Sequence, residues 1–182
     1  DVVIVGGLGP GMIAYSVFEA QTKISGEWNI LGILTDVDLS EMDVKVLGST
    51  NELSKFVEQG AYVHYTLHIN AKEKKSRLKY LDSLSIPGEQ HASVVHPSAK
   101  ISPHTKIGNG VCIAPLASSS PGSVIGDHCV LLANSFLGHD SSLGRAVTLA
   151  AHSVVGGRVN VCEGAHIGLN STVREDIEIG SF

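Results

Sequence analysis

The pair His139-Asp140 places two adjacent side chains whose types suit acid–base chemistry. An imidazole can take a proton from an incoming amine or hydroxyl, and a carboxylate beside it can fix its tautomer and stabilise its cation. Leu137 and Gly138 precede the pair, which predicts that the histidine lies at a corner after a short apolar strand. An ordinary surface histidine is the alternative that the residues alone leave open.

A second candidate site lies near the start of the chain, in the turn Gly6-Gly7-Leu8-Gly9-Pro10-Gly11. This turn joins an apolar strand to a helical stretch, so the backbone at Gly7, Leu8, Gly9 and Gly11, with the helix N-terminus, could hold a phosphate or a sugar hydroxyl. Asp36, at the end of the second predicted strand, could then bind a ribose or a base edge. Pro10 departs from the usual dinucleotide fingerprint, and a tight turn beside a solvated carboxylate is the alternative.

A metal site is the third possibility, because the chain has nine histidines. Three histidines can hold a zinc ion, as in proteins with a similar repeat that hydrate carbon dioxide. The spacings of His128, His139, His152 and His166 do not match that pattern, so no metal is predicted.

A six-residue repeat fills the second half of the chain and must position His139. Every sixth residue from Val95 to Ile179 is aliphatic except Ser119, and a small or β-branched residue stands four positions after each aliphatic. One strand and one corner per hexapeptide close a triangular coil of 18 residues, so the pattern predicts a parallel β-helix. Glycines that directly follow many of the aliphatics are expected where the backbone needs positive φ or close approach.

Residues 1–88 show a different pattern, in which apolar strands alternate with helical stretches. We predict strands at 2–5, 30–34 and 61–69, and helices at about 12–23, 51–59 and 71–84, the last with a solvated face rich in Lys and Glu. Ile86, Pro87 and Gly88 mark the expected boundary. The sequence therefore predicts a small α/β domain over residues 1–88 and an all-β domain over residues 89–182.

Composition narrows the functional classes. The 182 residues have a formal net charge of −5 and no basic cluster, which argues against nucleic acid as a partner. No apolar run is long enough to cross a bilayer, and no secretory signal is visible. All three cysteines fall inside the repeat, where they read as packed thiols of a reducing compartment. We therefore expect a cytoplasmic protein.

Over its whole length the chain resembles the sugar O-acyltransferases of the sialic acid O-acetyltransferase (NeuD-like) family. That family includes PglD-like N-acetyltransferases of nucleotide-linked amino sugars. The resemblance rests on the glycine-rich turn, the short α/β domain, His96-Pro97-Ser98-Ala99 at the start of the repeat, and His139-Asp140 within it. It implies a Rossmann-like first domain, a left-handed β-helix and a homotrimer.

The resemblance also implies roles for individual residues. His139 would be the general base, and Asp140 would orient it. The turn from Gly7 to Gly11, together with Asp36, would contact the nucleotide sugar. Acetyl-CoA would lie between neighbouring β-helices, against backbone matching Ala150, Ala151, Gly156 and Gly168, with Thr148 where many members have a second histidine that contacts the acyl group.

Several positions depart from the family pattern. Leu132-Ala133 replaces an Asn-Thr or Asn-Ser pair, Gly138 replaces an acidic residue, and Thr148 replaces the second histidine. The family's further C-terminal coils and Gly-Asn-Pro-Ala ending are absent from these 182 residues.

Taken together, the residues and the resemblance predict an acetyl-CoA-dependent acetyltransferase acting on an amino group of a nucleotide-linked sugar, by direct attack assisted by His139. An O-acetyltransferase acting on sialic acid or another sugar hydroxyl is the first alternative. A homologue that binds without catalysis and a metal-dependent hydratase are the others.

Overall fold

The computed structural model describes residues 1–67 and 71–182. The chain begins with a four-stranded parallel sheet of spatial order β3-β2-β1-β4. Its strands are β1 (Val2–Val5), β2 (Ile30–Leu34), β3 (Val46–Gly48) and β4 (Tyr62–Tyr65). Its helices are α1 (Pro10–Ser25), α2 (Leu53–Glu58) and α3 (Ala71–Ser83).

Three strands of this sheet match the sequence prediction, and the fourth corrects it. β3 is only three residues long and pairs with β2 alone, so it has no alternation to detect. β4 is shorter than predicted because it ends at Tyr65, while the predicted end at Ile69 lies outside the described residues.

The sheet is buried on both faces, as an apolar parallel strand requires. All four residues of β1 are fully buried. Val2 and Ile4 pack with Phe18 of α1 on one face, whereas Val3 and Val5 pack on the other with side chains that include Leu78 of α3. The helices α1 and α3 therefore cover opposite faces of the sheet.

The second half of the chain is a parallel β-helix of fifteen two-residue strands in three five-stranded sheets. Face 1 contains β5 (Val94–Val95), β8 (Cys112–Ile113), β11 (Val130–Leu131), β14 (Thr148–Leu149) and β17 (His166–Ile167). Face 2 contains β6 (Lys100–Ile101), β9 (Ser118–Ser119), β12 (Phe136–Leu137), β15 (Val154–Val155) and β18 (Thr172–Val173). Face 3 contains β7 (Lys106–Ile107), β10 (Val124–Ile125), β13 (Ser142–Leu143), β16 (Asn160–Val161) and β19 (Glu178–Ile179). The predicted fold class, a small α/β domain followed by a left-handed parallel β-helix, is confirmed.

Stacked strands pair residues that are 18 positions apart, so each aliphatic meets its counterpart in the next coil; Leu131 pairs with Leu149, for example. The second residue of most strands forms the apolar core of the prism, whereas Ile107 is 39% exposed. Ser119 is the polar exception and is also buried. Its hydroxyl lies 2.7 Å from the Thr105 hydroxyl and accepts a hydrogen bond from the Ser102 amide, so the polar group is satisfied inside the prism.

Positive φ and close backbone approach, which the sequence pattern attributes to the same glycines, occur at different positions of each corner. Positive φ occurs three residues after the aliphatic position, at every sixth residue from Gly110 to Asp176, and non-glycine residues such as Leu116, Ala146 and Arg158 adopt it. Five of the glycines that directly follow the aliphatics provide close approach instead, namely Gly108, Gly126, Gly138, Gly144 and Gly156. A Cβ at Gly138 would lie within van der Waals overlap of the Gly156 backbone in the next coil.

The first domain packs against face 1. Helix α1 contacts β5 and β8, and the core around α1 includes Val94 and Cys112 of that face. A 3-10 turn at Gly88–Gln90 connects the two parts, and Val63 of β4 forms an isolated parallel bridge with His91. The predicted boundary at residue 88 remains a prediction, since the two parts share a continuous core.

α3 has the expected solvated face, which includes Lys75 and Lys79, but Lys74 is an exception among its lysines. Its side chain is fully buried against the β-helix, and its ammonium donates hydrogen bonds to the carbonyls of Ala146 and Gly164 and to the Thr148 hydroxyl. Burial lowers the pKa of Lys74 to about 8. Lys74 of α3 thus donates hydrogen bonds to backbone carbonyls at a corner of the β-helix.

Three histidines occupy the junction between the two parts. His64 and His128 are buried, and the rings of His91 and His128 meet edge to face at 4.7 Å. The Nδ1 atoms of His91 and His128 have no hydrogen-bond partner among the described residues. Burial lowers the pKa of His64 to about 4 and that of His128 to about 3, so both rings are neutral at pH 7.

In the described part of the chain, no helix is long and apolar enough to cross a membrane.

Candidate active site

His139 and Asp140 lie at the corner between faces 2 and 3, directly after β12. The His139 Nδ1 atom is 2.8 Å from Asp140 Oδ2, and both side chains are exposed, by 53% and 64%. Asp140 has a φ of 57°, a conformation in which Asp is less costly than most residues. This turn brings the two adjacent side chains onto the same side, so that the carboxylate can accept a hydrogen bond from Nδ1.

Two glycines from neighbouring coils make room for this pair. The His139 ring lies over Gly157 in the next coil, where a Cβ would be 2.5 Å from Nε2. Asp140 lies over Gly122 in the preceding coil, where a Cβ would overlap the carboxylate. The His139 carbonyl accepts a hydrogen bond from the Arg158 amide at 2.9 Å, which fixes the backbone of the turn.

The geometry assigns different tasks to the two ring nitrogens. A hydrogen bond from Nδ1–H to Asp140 leaves Nε2 with the lone pair, and the ring edge is open to solvent. An imidazole in this tautomer can take a proton from an acceptor that approaches the corner, and the adjacent carboxylate stabilises the resulting cation.

The same corner continues as a column of charged residues in successive coils. Arg158 follows Asp140 by one coil, and Asp176 follows by another. The Arg158 guanidinium donates to both Asp176 carboxylate oxygens, at 2.5 and 2.7 Å. The side-chain hydrogen bond from Arg158 lowers the pKa of Asp176.

The glycine-rich turn lies at the carboxyl end of the first-domain sheet, as predicted. Gly6 and Gly11 pack against each other, because a Cβ at Gly11 would be 3.0 Å from the Gly6 carbonyl carbon. Gly9 has a φ of 77° and precedes Pro10, the first residue of α1. The early amides of this helix have no intrahelical partners and point towards the turn.

A cavity of about 190 Å³ opens at this turn and brings several predicted residues together. It is lined by Gly6, Gly7, Leu8, Pro10, Thr35, Asp36, Val37, Thr50, Thr66, Leu67 and Arg77. The turn and Asp36 are thus on one cavity, whereas Gly9 and Gly11 shape the backbone beside it.

Asp36 has a structural task in addition to any contact with a ligand. Its carboxylate accepts hydrogen bonds from the Ser49 hydroxyl at 2.7 Å, from the Thr50 amide at 3.0 Å and from the Thr50 hydroxyl. These bonds, first of all the one from the Thr50 side chain, lower the pKa of Asp36. The carboxylate is therefore ionised and secures the segment between β3 and α2.

Arg77 is a residue of this cavity that the sequence analysis missed. It lies on α3, which is distant in sequence from both the glycine turn and Asp36. A single arginine among the charged residues of a helix has no local signal, so only the packing of α3 beside the carboxyl ends of the strands reveals it.

The residues predicted to contact acetyl-CoA occupy three different places. Gly156 lies at the same corner as His139. The Gly156 carbonyl accepts a hydrogen bond from the Ser141 hydroxyl. Ala150, Ala151 and Gly168 lie at the opposite edge of face 2, where it meets face 1. Thr148 lies on face 1, only 4% exposed, and accepts the hydrogen bond from Lys74. Its expected contact with the acyl group remains a prediction.

Among the described residues, no cluster of three His, Cys, Asp or Glu side chains has the geometry of a metal site.

Comparisons with known proteins identify related sequences but no matching family model. The chain is 25% identical over 116 residues to the GDP-perosamine N-acetyltransferase of Escherichia coli, an alignment that covers 64% of this chain and 52% of that protein. It is 26% identical over 89 residues to the acyl-(acyl-carrier-protein) UDP-N-acetylglucosamine O-acyltransferase of Brucella ovis, covering 46% of this chain and 32% of that protein. The chain therefore spans about half, or less, of the length of these relatives.

Solved structures extend the likeness to the whole fold. PerB from Caulobacter crescentus, crystallised with CoA and GDP-perosamine, has a TM-score of 0.71 at 24% identity, over 100% of this chain and 87% of that one. WeeI from Acinetobacter baumannii has a TM-score of 0.73 at 19% identity, over 93% and 78%. The acetyltransferase domain of PglB from Neisseria gonorrhoeae, solved with acetyl coenzyme A, has a TM-score of 0.53 at 20% identity, over 95% and 92%. The predicted resemblance to sugar acyltransferases built on a hexapeptide repeat is thereby confirmed.

Proposed function

We propose that this protein transfers the acetyl group of acetyl-CoA to an amino group of a nucleotide-linked sugar. The observation that supports this most is the hydrogen-bonded pair of His139 and Asp140, exposed at a corner of a β-helix. The relatives add the substrate class, since one is named for an N-acetyltransferase and a similar fold was crystallised with CoA and a nucleotide sugar.

The chemical step needs no covalent intermediate with the protein. The amine nitrogen attacks the thioester carbonyl of acetyl-CoA while His139 Nε2 accepts a proton from that nitrogen. The C–S bond breaks, an amide forms, and the CoA thiolate leaves with a proton returned from the imidazolium or solvent. Cys112 and Cys129 do not suit a nucleophile's role, because burial raises the pKa of each to about 12.

We also propose that acetyl-CoA lies along face 2. Gly156 borders this face at the corner of His139, and Ala150, Ala151 and Gly168 border it at the other edge. The outward side chains between these edges include Phe136, which is half-buried, and Val154, which is 37% exposed. These two apolar side chains, in the coil of the general base and the next coil, suit a pantetheine arm whose thioester must reach Nε2.

The assembly we propose follows from the position of His139 within one chain. The first domain covers face 1, whereas His139 lies at the corner between faces 2 and 3, which is opposite face 1 in a triangular prism. A nucleotide sugar in the cavity at the glycine turn could not reach the histidine of its own chain. A complete site needs a second copy, and a homotrimer provides three equivalent sites. The free cysteines and the use of acetyl-CoA fit the cytoplasm, the compartment that we propose.

His139→Asn tests the chemical role directly. Asparagine preserves polarity but cannot act as a base at neutral pH, so kcat should fall about 10²–10⁴-fold while nucleotide-sugar binding changes little. Release of CoA thiol with UDP-, GDP-, dTDP- and CMP-linked amino sugars measures this. His104→Asn, the same change at an exposed histidine near the start of the β-helix, is the matched control. Retention of more than about a tenth of wild-type turnover would exclude His139 as the base.

The sugar O-acyltransferase among the relatives favours a second candidate, acetylation of a sugar hydroxyl. The two reactions give different products from the same assay. An ester releases its acetyl group to hydroxylamine, whereas an amide does not, and this treatment separates the candidates. Binding of substrates without any thiol release would instead indicate a non-catalytic homologue.

A further inference from the structure

A second cavity continues the groove beyond the glycine turn. It has a volume of about 340 Å³ and is lined by Asp36, Thr50, Asn51, Tyr65, Ser76, Arg77 and Tyr80. Asp36, Thr50 and Arg77 line both cavities, so these residues form the passage between them. One groove therefore runs from the backbone of the glycine turn, past Arg77, to a pair of tyrosines.

The charges in the passage favour Arg77 over Asp36 as the residue that meets an anion. Asp36 is ionised and its oxygens already accept three hydrogen bonds from Ser49 and Thr50. Arg77 is half-buried and lines the same passage, where its charge acts on Asp36 and it donates a hydrogen bond to the Tyr65 side chain. A guanidinium with its planar fork of donors is suited to two neighbouring phosphate oxygens.

The tyrosines give the far end of the groove a different chemistry. Tyr65 is 5% exposed and Tyr80 is 38% exposed, and their ring centroids are 6.4 Å apart at 48°. The buried ring holds the exposed one beside the cavity, where a flat base could stack on it. Asn51 and Ser76 supply polar groups at the rim of the same cavity.

We propose that Arg77 binds the diphosphate of the nucleotide sugar and that Tyr80 stacks on its base. The diphosphate then lies between the glycine turn and Arg77, and the sugar extends from the first cavity towards the histidine of another copy. This inference rests on the proposed function, because it assigns parts of the same substrate to parts of the groove. It makes Arg77 the residue that distinguishes a nucleoside diphosphate sugar from a free sugar.

Calorimetric titration of the full-length protein with GDP and with UDP tests the role of Arg77 without any acetyl transfer. Arg77→Gln should weaken binding of the nucleotide that the wild type prefers by about tenfold or more, because a charge-assisted hydrogen bond is lost. The nucleotide affinity of Arg77→Lys should lie between that of Arg77→Gln and that of the wild type. Lys79→Gln, the same loss of charge at an exposed position of α3, is the matched control and should bind like the wild type.

Tyr80→Leu tests the base platform separately. This substitution should weaken the binding of GDP or UDP but leave the binding of inorganic pyrophosphate unchanged. Arg77→Gln should weaken the binding of all these ligands. The KM for acetyl-CoA should stay the same in each variant, and equal melting temperatures would show that the fold is intact.

The outcomes separate this inference from the proposed function. Acetyl transfer to a nucleotide sugar together with unchanged nucleotide affinity in Arg77→Gln would overturn the inference and leave the function standing. Acetylation of a free sugar by a wild-type protein that binds neither nucleotide would overturn both the inference and the nucleotide-linked substrate.

Discussion

At the scale of single residues, the position of His139 depends on neighbouring glycines, whose lack of a side chain leaves room for the pair with Asp140. His139 lies over Gly157, and Asp140 lies over Gly122, each from an adjacent coil. The chain also has Gly138 where the resembling family has an acidic residue, and the close backbone of Gly156 leaves no space there for a Cβ. The position of the imidazole is thus set by three coils together.

Gly157→Ala is the substitution that tests this arrangement. The added Cβ would lie 2.5 Å from His139 Nε2, so the ring must move. Displacement of a reacting group by about 1 Å can cost about 10²-fold, and we expect kcat to fall between about tenfold and a hundredfold with little change in stability. The measurement is steady-state thiol release. Gly180→Ala, where an added Cβ meets open space, should behave as the wild type, and equal activity of both variants would refute the claim.

At the scale of elements, the strands of the β-helix could be predicted from sequence because each hexapeptide repeats the same local task. A period of six in the aliphatics predicts which side chain points inwards, and even the exception at Ser119 lies inside. The corner conformations could not be predicted in this way, since residues as different as Leu116 and Arg158 adopt positive φ. There the stacked neighbours impose the backbone, and residue preference is overridden.

The residues that join the elements were also beyond sequence reasoning. Lys74 and Arg77 belong to one polar helix, yet one is buried against a β-helix corner and the other lines a cavity. Their roles depend on which groups α3 meets when it packs. The glycine turn, Asp36 and His139 could be predicted because their signals are local, namely a strand followed by glycines and a histidine followed by a carboxylate.

The buried histidines at the junction predict an acid-sensitive link between the two parts. The folded-state pKa of His128 is about 3, below its usual value of 6.5, so between these values the unfolded chain binds more protons than the folded one. Stability is therefore lost as the pH falls from 6.5 towards 3. Arg145 adds positive charge near this ring, and Asp127 adds the opposite charge.

Urea unfolding at several pH values between 7.5 and 4 measures this effect. In His128→Asn, which keeps a residue tolerant of the positive φ at this position, the pH dependence should be shallower by up to about 1.4 kcal/mol per pH unit below 6.5. His104→Asn, at an exposed site, should leave the slope unchanged. Parallel pH profiles for the wild type and His128→Asn would show that His128 does not titrate between the two states.

At the scale of the whole molecule, the two halves of the candidate site face away from each other. The cavity of the glycine turn belongs to the domain that covers face 1, and His139 is at the corner opposite that face. Each half is well formed within one chain, but a substrate cannot bridge them there. We therefore propose that the nucleotide sugar bound by one copy is acetylated with the help of His139 from another.

Complementation between two inactive variants tests whether each site is shared between two copies of the chain. Gly7→Val would place a side chain against Val37 in the cavity at the glycine turn, and His139→Asn would remove the proposed base. Each variant alone should be nearly inactive. After subunits are mixed in equal amounts and allowed to exchange, about a quarter of the sites should combine an intact cavity with an intact histidine from different chains. We expect the mixture to recover about a quarter of wild-type thiol release with a nucleotide-linked amino sugar. A mixture that stays as inactive as its components, while mixed oligomers are shown to form, would contradict it.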